Sequence, residues 1–539
     1  MSRSPLPPAH TAAAALCALA ALGLSGCGED EPVAPERLLV VGWDGAAWDL
    51  AAPLMAEGRL PNLAGLVARG RTADLESTAI PISSAAWTTA TTGLEPGETG
   101  IYSFLQPVEG SYEPRLVSAR DNRGVPLWRI LSARGRDVIV WGVPLTWPPE
   151  PVRGVMVSGM LSPLDDVWTH PAPLTQVLSA RGMVPDLGIW RDRTQLTPQR
   201  LASQLALKEK ALLDTFENRD WSFALVVFKN LDVLSHRAYT PNPRGEVAAL
   251  MERLDRTLGA LIEAAGPNAN VVVMSDHGFH TYPRVFDVDT WLEGAGFAVR
   301  RDDAVLEPGA TGPLAEARVL QRGARLGRLD MARTRAYADA AEGGFCAIRL
   351  NVEGREAEGS VAADERDGVI DALEGALGEI RDADGAPVVR TIWRGAELYP
   401  GPEQERVVPD LVVELEDGWR AVAQGLGPAL QSAPRSFPEH DRTGILVAAG
   451  PAIAHSKERE AWRMRDVAPF ALRLMGETIP TTMQGDPHHE ALIDGKRLLY
   501  IDAIEDPSLR STEEAFEGLP EPGESQAVRE RIGVLGYGR

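Results

Sequence analysis

Cysteine is scarce: three occur among 539 residues, Cys17, Cys27 and Cys346. Cys17 sits inside an apolar N-terminal run and Cys27 at its end, so the body beyond keeps Cys346 alone and no internal disulfide is expected. Positive charge is in deficit as well. The 54 Lys and Arg face 76 Asp and Glu, a formal net charge of -22. That balance excludes nucleic-acid binding as the main task, because affinity for the phosphate backbone comes from clustered cations. Any phosphate-bearing ligand must meet positive charge locally, and a bound metal ion is the ready source. The N-terminal apolar run, 12–24, is shorter than the roughly 20 residues that a membrane-spanning helix needs. Low-complexity tracts and solenoid-period repeats are missing too, which sets aside a disordered or repeat protein. What remains is a globular composition, long enough for three or four domains of roughly 150 residues or for one enzyme core with an inserted lobe.

Segment 1–26 has an early cation, Arg3, then the run 12–24 and a close in small residues. This is the layout of a secretory signal. Leu24-Ser25-Gly26-Cys27 resembles a bacterial lipobox, in which the signal is cut before the cysteine and the cysteine is lipidated. A plain cleavage site with an incidental cysteine is the competing reading. The expectation is a bacterial envelope protein, periplasmic or outer-membrane-associated, tethered through 27–36 and held to the membrane by lipidated Cys27.

Beyond the tether, strands alternate with helices, which predicts an α/β fold built on a mainly parallel sheet sandwiched by helices. Leu38-Leu39-Val40-Val41-Gly42 reads as a buried strand, and Asp44 follows at its C-terminal end, where open α/β sheets place ligands. A turn aspartate is the plainer alternative. Pro81 cannot sit within a helix, and Ala86, Trp87 and Ala90 fall at helical spacing, so a helix opens at Ser83-Ser84. A hydroxyl there faces unpaired backbone N–H groups and the positive end of the helix dipole, an environment suited to phosphate and to an ionised serine. Simple N-capping would also place a serine there.

The apolar strand 221–228 delivers Asp232, with His236 four residues on. On a helix the two share a face and can grip one cation, although a capping aspartate beside a surface histidine fits the same spacing. Strand 270–274 ends in Ser275-Asp276-His277-Gly278, and two adjacent ligands can converge only on an irregular turn, for which Gly278 is expected to supply the freedom. His440 precedes the strand 445–448. Asp44, Asp232, His236, Asp276, His277 and His440, all expected at the strands of one sheet, form a hard-oxygen and imidazole set that suits two divalent ions, Zn2+ best and Mn2+ compatibly. His170 and His455 read as surface residues, His488 and His489 as solvated, and His280 as structural or an outer partner of the site.

These motifs together resemble the alkaline phosphatase superfamily, on the branch of type I phosphodiesterase and nucleotide pyrophosphatase proteins and the bacterial phosphohydrolase/phosphomutase-like group. The resemblance spans about 38–486. It rests on Gly42-Trp43-Asp44-Gly45, Leu60-Pro61-Asn62-Leu63, Ser83 through Trp87 to Thr92-Gly93, Asp232 with His236, Ser275-Asp276-His277-Gly278, and His440 before Gly444. It implies one metal on Asp232, His236 and His440, and a second on Asp44, Asp276 and His277 with the Ser83 hydroxyl on or near it. Ser83 rather than Ser84 matches the nucleophile, because it lies four residues before Trp87. Two positions depart from relatives. Thr99 stands where many have histidine, and Ala86 where the nucleotide pyrophosphatases have a phosphate-holding asparagine; Lys229 or Asn230 are candidates to substitute. The proline and arginine that a sulfatase motif requires are missing.

The resemblance thus implies a metal-dependent hydrolase of phosphate esters acting through a covalent phosphoseryl intermediate. A transferase of phosphoryl-linked groups to lipid head groups or glycans, or a binding protein that has lost turnover, are the rivals. The expected organisation is a core over 37–290, an inserted α+β lobe over 291–409, a core return over 410–500 and a loose tail over 501–539.

Overall fold

The run Leu38-Leu39-Val40-Val41 forms the middle strand of a nine-stranded sheet in the computed structural model of the protein. The structure describes residues 37–163, 166–185, 197–242, 244–302, 325–493, 499–502, 505–509 and 511–517. The signal reading of 1–26, Cys27, the tether and 518–539 of the tail lie outside the described residues. Among the described residues no helix is long and apolar enough to cross a membrane.

Strand β1 (Arg37–Trp43) leads through α1 (Trp48–Ala56) and α2 (Pro61–Arg69) to β2 (Arg71–Glu76) and α3 (Ser83–Thr92). Next come α4 (Pro96–Thr99), the hairpin β3 (Leu105–Val108) and β4 (Ser111–Leu116), then α5 (Leu127–Ala133), β5 (Val138–Trp141), β6 (Gly154–Val157), β7 (Thr169–His170) and α6 (Pro173–Ala180). Helix α7 (Pro198–Asn218), β8 (Phe223–Phe228), α8 (Asn230–Ala238), α9 (Glu246–Ala265), β9 (Ala269–Met274) and β10 (Gly278–Asp287) complete the first part. The later strands are β11 (Ala336–Glu342), β12 (Phe345–Leu350), β13 (Val389–Arg394), β14 (Leu411–Leu415), β15 (Trp419–Val422), β16 (Leu430–Asp441), β17 (Thr443–Ala449) and β18 (Arg459–Arg463).

The large sheet has the order β18-β2-β17-β9-β1-β8-β5-β6-β7. β1 runs parallel to β8 and β9, and β5 parallel to β6 and β8, while β17 pairs antiparallel with β2 and β9. A strand buried on both faces must be apolar throughout, and β1 shows why. Leu39, Val41 and Trp43 enter one apolar layer with α1, α2, α7 and α9. Leu38 and Val40 enter another, with α3, α5 and the helix Val467–Leu474. The expected α/β sandwich is therefore the observed fold.

One boundary moves. The segment 410–414, read from its apolar run as the return to the core, instead joins a smaller four-stranded antiparallel sheet, order β11-β12-β14-β13, through pairs such as Cys346↔Val413 and Ile392↔Val413. An apolar run fits either sheet by pattern, and partner register decides. The large sheet resumes only at β17. Between the two lies a third sheet, β15-β10-β16, in which β10 pairs antiparallel with β16.

His488, expected to be solvated, is instead 9% exposed and lies flat on Trp462, with ring centroids 3.6 Å apart. Its Nε2 meets Asp466 Oδ2 at 3.1 Å. Burial opposes the charged imidazole, but the Asp466 carboxylate outweighs it and lifts the His488 pKa above the ordinary 6.5. Burial also works against the Asp466 charge, yet His488 and two backbone N–H groups hold its pKa below 3.8. The histidine's share of stability is full below pH 6.5 and is lost as pH rises through its folded pKa. The aspartate's share is present above 3.8 and lost as pH falls through its own. Replacing His488 by Gln is therefore expected to cost on the order of 1–2 kcal/mol near pH 5.5 and distinctly less near pH 9, read by denaturant melts at the two values. Equal losses at both would contradict the charged pairing.

Candidate metal centre

The parallel strands β1, β8 and β9 end on one edge of the large sheet, and each is followed within two residues by an acidic or basic side chain. Asp44 follows β1. Its Oδ2 accepts a hydrogen bond from Trp87 Nε1 at 2.9 Å. The indole can lie against β1 only because residue 42 is glycine, since a Cβ there would come within 2.4 Å of the Trp87 ring. That single packing relation ties α3, and so Ser83, to the carboxylate of β1.

Ser83 is the first residue of α3. The N-cap position belongs to Ile82 and carries no side-chain cap, so N-capping does not explain the serine. Ser83 Oγ lies 3.3 Å from His277 Nε2 and 3.3 Å from Lys229 Nζ. Ser84 Oγ is buried without a hydrogen-bond partner.

Asp232 and His236 share one face of α8, with Asp232 Oδ1 and His236 Nε2 3.3 Å apart. Asp276 and His277 occupy the irregular turn between β9 and β10. Gly278 begins β10 without a left-handed φ. Its role is close approach, because a Cβ would fall 2.3 Å from the Thr443 carbonyl oxygen. His440 is not in a loop beside the large sheet but on β16 of the three-stranded sheet, opposite Phe279. Two sheets therefore supply the site. Because β10 continues straight from His277, its partner strand brings the His440 ring to a centroid distance of 3.7 Å from the His277 ring.

All six predicted ligands come together, as two trios. Asp232, His236 and His440 form one, and Asp44, Asp276 and His277 the other, with candidate ligand atoms within 4.8 Å of one another in each. Five of the six, and Ser83, have no exposed surface. The histidines are held alike. His440 Nδ1 donates to the Pro81 carbonyl at 2.7 Å, His277 Nδ1 to the Gly278 carbonyl at 3.0 Å, and His236 Nδ1 faces Glu439 Oε1 at 3.1 Å. A carbonyl can only accept, so the ring proton sits on Nδ1 and Nε2 turns its lone pair inward.

Burial, reinforced by the neighbouring His277, pushes His440 down to about 4, and burial also lowers His277, so both rings are neutral near pH 7. His236 differs. Burial opposes its charge, but Asp232 and Glu439 outweigh that and raise its pKa. Asp276 is pushed well above the carboxylate range by burial and the adjacent Asp44, whereas in Asp232 the charges of Lys229 and His236 overcome burial and hold it well below.

The donor set fits divalent cations. His440 Nε2 lies 3.0 Å from His236 Nε2 and 3.2 Å from Asp232 Oδ1, so three acceptor atoms converge where at most one proton is available. Asp276 Oδ2 is buried without a hydrogen-bond partner. A cation in each trio would satisfy these lone pairs together.

Other candidates stay outside. His280 is exposed on β10, His455 bonds the Gly70 carbonyl, and Asn230 Nδ2 turns away to the Leu201 carbonyl at 3.1 Å. Thr99 Oγ1 accepts from the Ile101 N–H within its own turn. Two site residues escaped sequence reasoning. Glu439 accepts from Arg420 at 2.9 Å while facing His236, and Glu342 of β11 stands 3.5 Å from His440 Nδ1. Glu439 had one weak signal, adjacency to a candidate ligand; Glu342 had none.

A central parallel sheet with paired Asp and His trios around a buried serine at its C-terminal edge defines an alkaline phosphatase-like α/β protein. Residues 38–441, more than half of the chain, match the family model of type I phosphodiesterase / nucleotide pyrophosphatase, and the chain belongs to that family. No curated protein matches it in sequence. Among solved structures it is similar to an inactive variant of murine ectonucleotide pyrophosphatase / phosphodiesterase 5 in complex with AMP, with a TM-score of 0.52 and 15% identity over 85% of this chain and 100% of that one. It is also similar to phosphonoacetate hydrolase from Sinorhizobium meliloti 1021 in complex with phosphonoacetate, with a TM-score of 0.56 and 15% identity over 82% of this chain and 96% of that one. At these identities the likeness is one of fold.

Because Glu439 orients His236 through Nδ1, Glu439→Gln is expected to weaken zinc binding by about 10–100-fold in a competitive chelator titration. Unchanged affinity would show that His236 is held by other means.

Proposed function

We propose that this protein is a metal-dependent hydrolase of phosphate esters, working on diesters through Ser83 as nucleophile. Membership of the type I phosphodiesterase / nucleotide pyrophosphatase family supports the reaction class. The observation that carries the reading is the buried Ser83 oxygen 3.3 Å from His277 Nε2 of one trio, with the His277 ring stacked 3.7 Å from that of His440 in the other. Asp232, His236 and His440 would hold one divalent cation, and Asp44, Asp276 and His277 a second beside Ser83. The mixed Asp and His donors favour Zn2+, with Mn2+ compatible. When bound, such ions supply Lewis-acid stabilisation of the oxygens entering and leaving phosphorus and ease ionisation of a nearby hydroxyl.

The chain's own groups account for the rest. The start of α3 directs the positive end of the helix dipole at the phosphoryl group. Ser83 Oγ attacks phosphorus, the bond to the departing alcohol breaks, and the serine's proton ends on that alcohol. Water then cleaves the phosphoseryl ester, restoring the hydroxyl and releasing a phosphomonoester. Trp87 steadies Asp44 throughout. Burial excludes bulk water from these charges, which strengthens each electrostatic contact. The N-terminal segment supports an extracytoplasmic site of action, with lipidated Cys27 as the membrane anchor.

Ser83→Ala is expected to lower release of p-nitrophenol from bis(p-nitrophenyl) phosphate by about 10³-fold or more, with zinc content and thermal melting retained. Ser84→Ala should stay close to wild type. Substantial turnover in the Ser83 variant would remove the covalent step from that residue. Stripping metal with dipicolinate should abolish activity and zinc should restore it; full activity in verified metal-free protein would overturn metal dependence.

A further inference from the structure

Lys229 follows β8 directly and its side chain is 4% exposed. Its Nζ lies 2.9 Å from Asp232 Oδ2, 3.2 Å from Asp44 Oδ1 and 3.3 Å from Ser83 Oγ. One ammonium thus touches a carboxylate of each trio and the oxygen of the serine. Two of these contacts, to Asp44 Oδ1 and Ser83 Oγ, are hydrogen bonds donated by the ammonium, and the third is an ion pair with Asp232, so one compact point charge reaches three separate elements, a task that suits lysine better than the planar fork of arginine. A counter-ion for the carboxylates alone has no need of the contact to Ser83. The other polar candidate on this turn, Asn230, bonds the Leu201 carbonyl, and Ala86 brings no polar atom to the phosphoryl side of α3.

We infer that Lys229 is a catalytic residue of the phosphate-ester reaction, holding first the Ser83 oxygen and then a non-bridging oxygen of the phosphoryl group that this serine carries. The inference rests on the function proposed above. It adds a fixed positive charge, supplied by the chain itself, at the point where negative charge builds as the serine oxygen bonds to phosphorus. It also gives the site a chain-borne donor for inorganic phosphate.

The test uses zinc-loaded mature protein with wild type beside Lys229→Met. Wild type should bind inorganic phosphate measurably in calorimetry and turn over bis(p-nitrophenyl) phosphate. If wild type does neither with its zinc bound, the proposed function itself fails. With wild type active, the variant is expected to keep its zinc stoichiometry, bind phosphate about tenfold more weakly and lose about 10²-fold or more in kcat/KM. Phosphate affinity and kcat/KM both within about threefold of wild type would overturn the inference. So would loss of zinc as the variant's primary defect, which would make Lys229 a counter-ion for the ligands. A crystal structure of zinc-loaded wild type with orthovanadate needs no variant. Lys229 Nζ is expected within hydrogen-bond distance of an equatorial vanadate oxygen, and an ammonium turned away from the vanadate would contradict the assignment.

Discussion

Three carboxylates, those of Asp44, Asp232 and Asp276, are packed with no exposed surface into one space at the edge of a sheet. Asp44 and Asp276 alone present oxygens within 4.8 Å. Two like charges at that distance repel by about 3 kcal/mol at an effective dielectric near 20, and burial adds a desolvation cost to each. Such a cluster persists in a folded protein only if a carboxyl keeps its proton, as the raised Asp276 pKa allows, or if positive charge is brought to it. Lys229 and a protonatable His236 supply part of that charge, and the inward lone pairs of His277 and His440 indicate the form that the remainder takes.

The fold meets this requirement by topology. Parallel strands β1, β8 and β9 end side by side, so residues far apart in the chain arrive at one edge without long loops. The antiparallel β17 starts on that same edge, and β16 before it carries His440 back across the mouth of the sheet. Small backbone details then fix the geometry. Gly42 admits the Trp87 indole, which grips Asp44, and the Pro81 carbonyl just ahead of α3 orients His440. The serine-bearing helix is therefore connected to both trios through hydrogen bonds that do not involve the serine. The smaller sheet contributes as well, since β11 ends at Glu342 beside His440.

Of the candidate ligands, Asp44, Asp276 and His277 were legible because they follow apolar runs that read as buried strands, and Asp232 and His236 because they repeat at helical spacing, whereas His440 was marked only by its place ahead of the run 445–448. The sheet itself was legible from the same apolar runs. What escaped reading depends on partners distant in sequence. The run 411–415 suits either sheet, and only pairing with β12 and β13 assigns it. His488 has a polar sequence context, yet Trp462 covers it. Glu342 lies far from His440 in the chain, and nothing in its own neighbourhood marks it as a site residue. Gly278 was correctly singled out for the wrong physical reason: it makes room for the Thr443 carbonyl and does not relax φ.

The central claim is that two cation sites flank Ser83. Anomalous diffraction at the zinc edge from crystals of the zinc-loaded protein tests it most directly. The account predicts two strong peaks, one bonded to Asp232, His236 and His440 and the other to Asp44, Asp276 and His277, with Ser83 Oγ beside the second. Fully loaded crystals in which these side chains bind no zinc, or in which zinc lies only elsewhere, would contradict it.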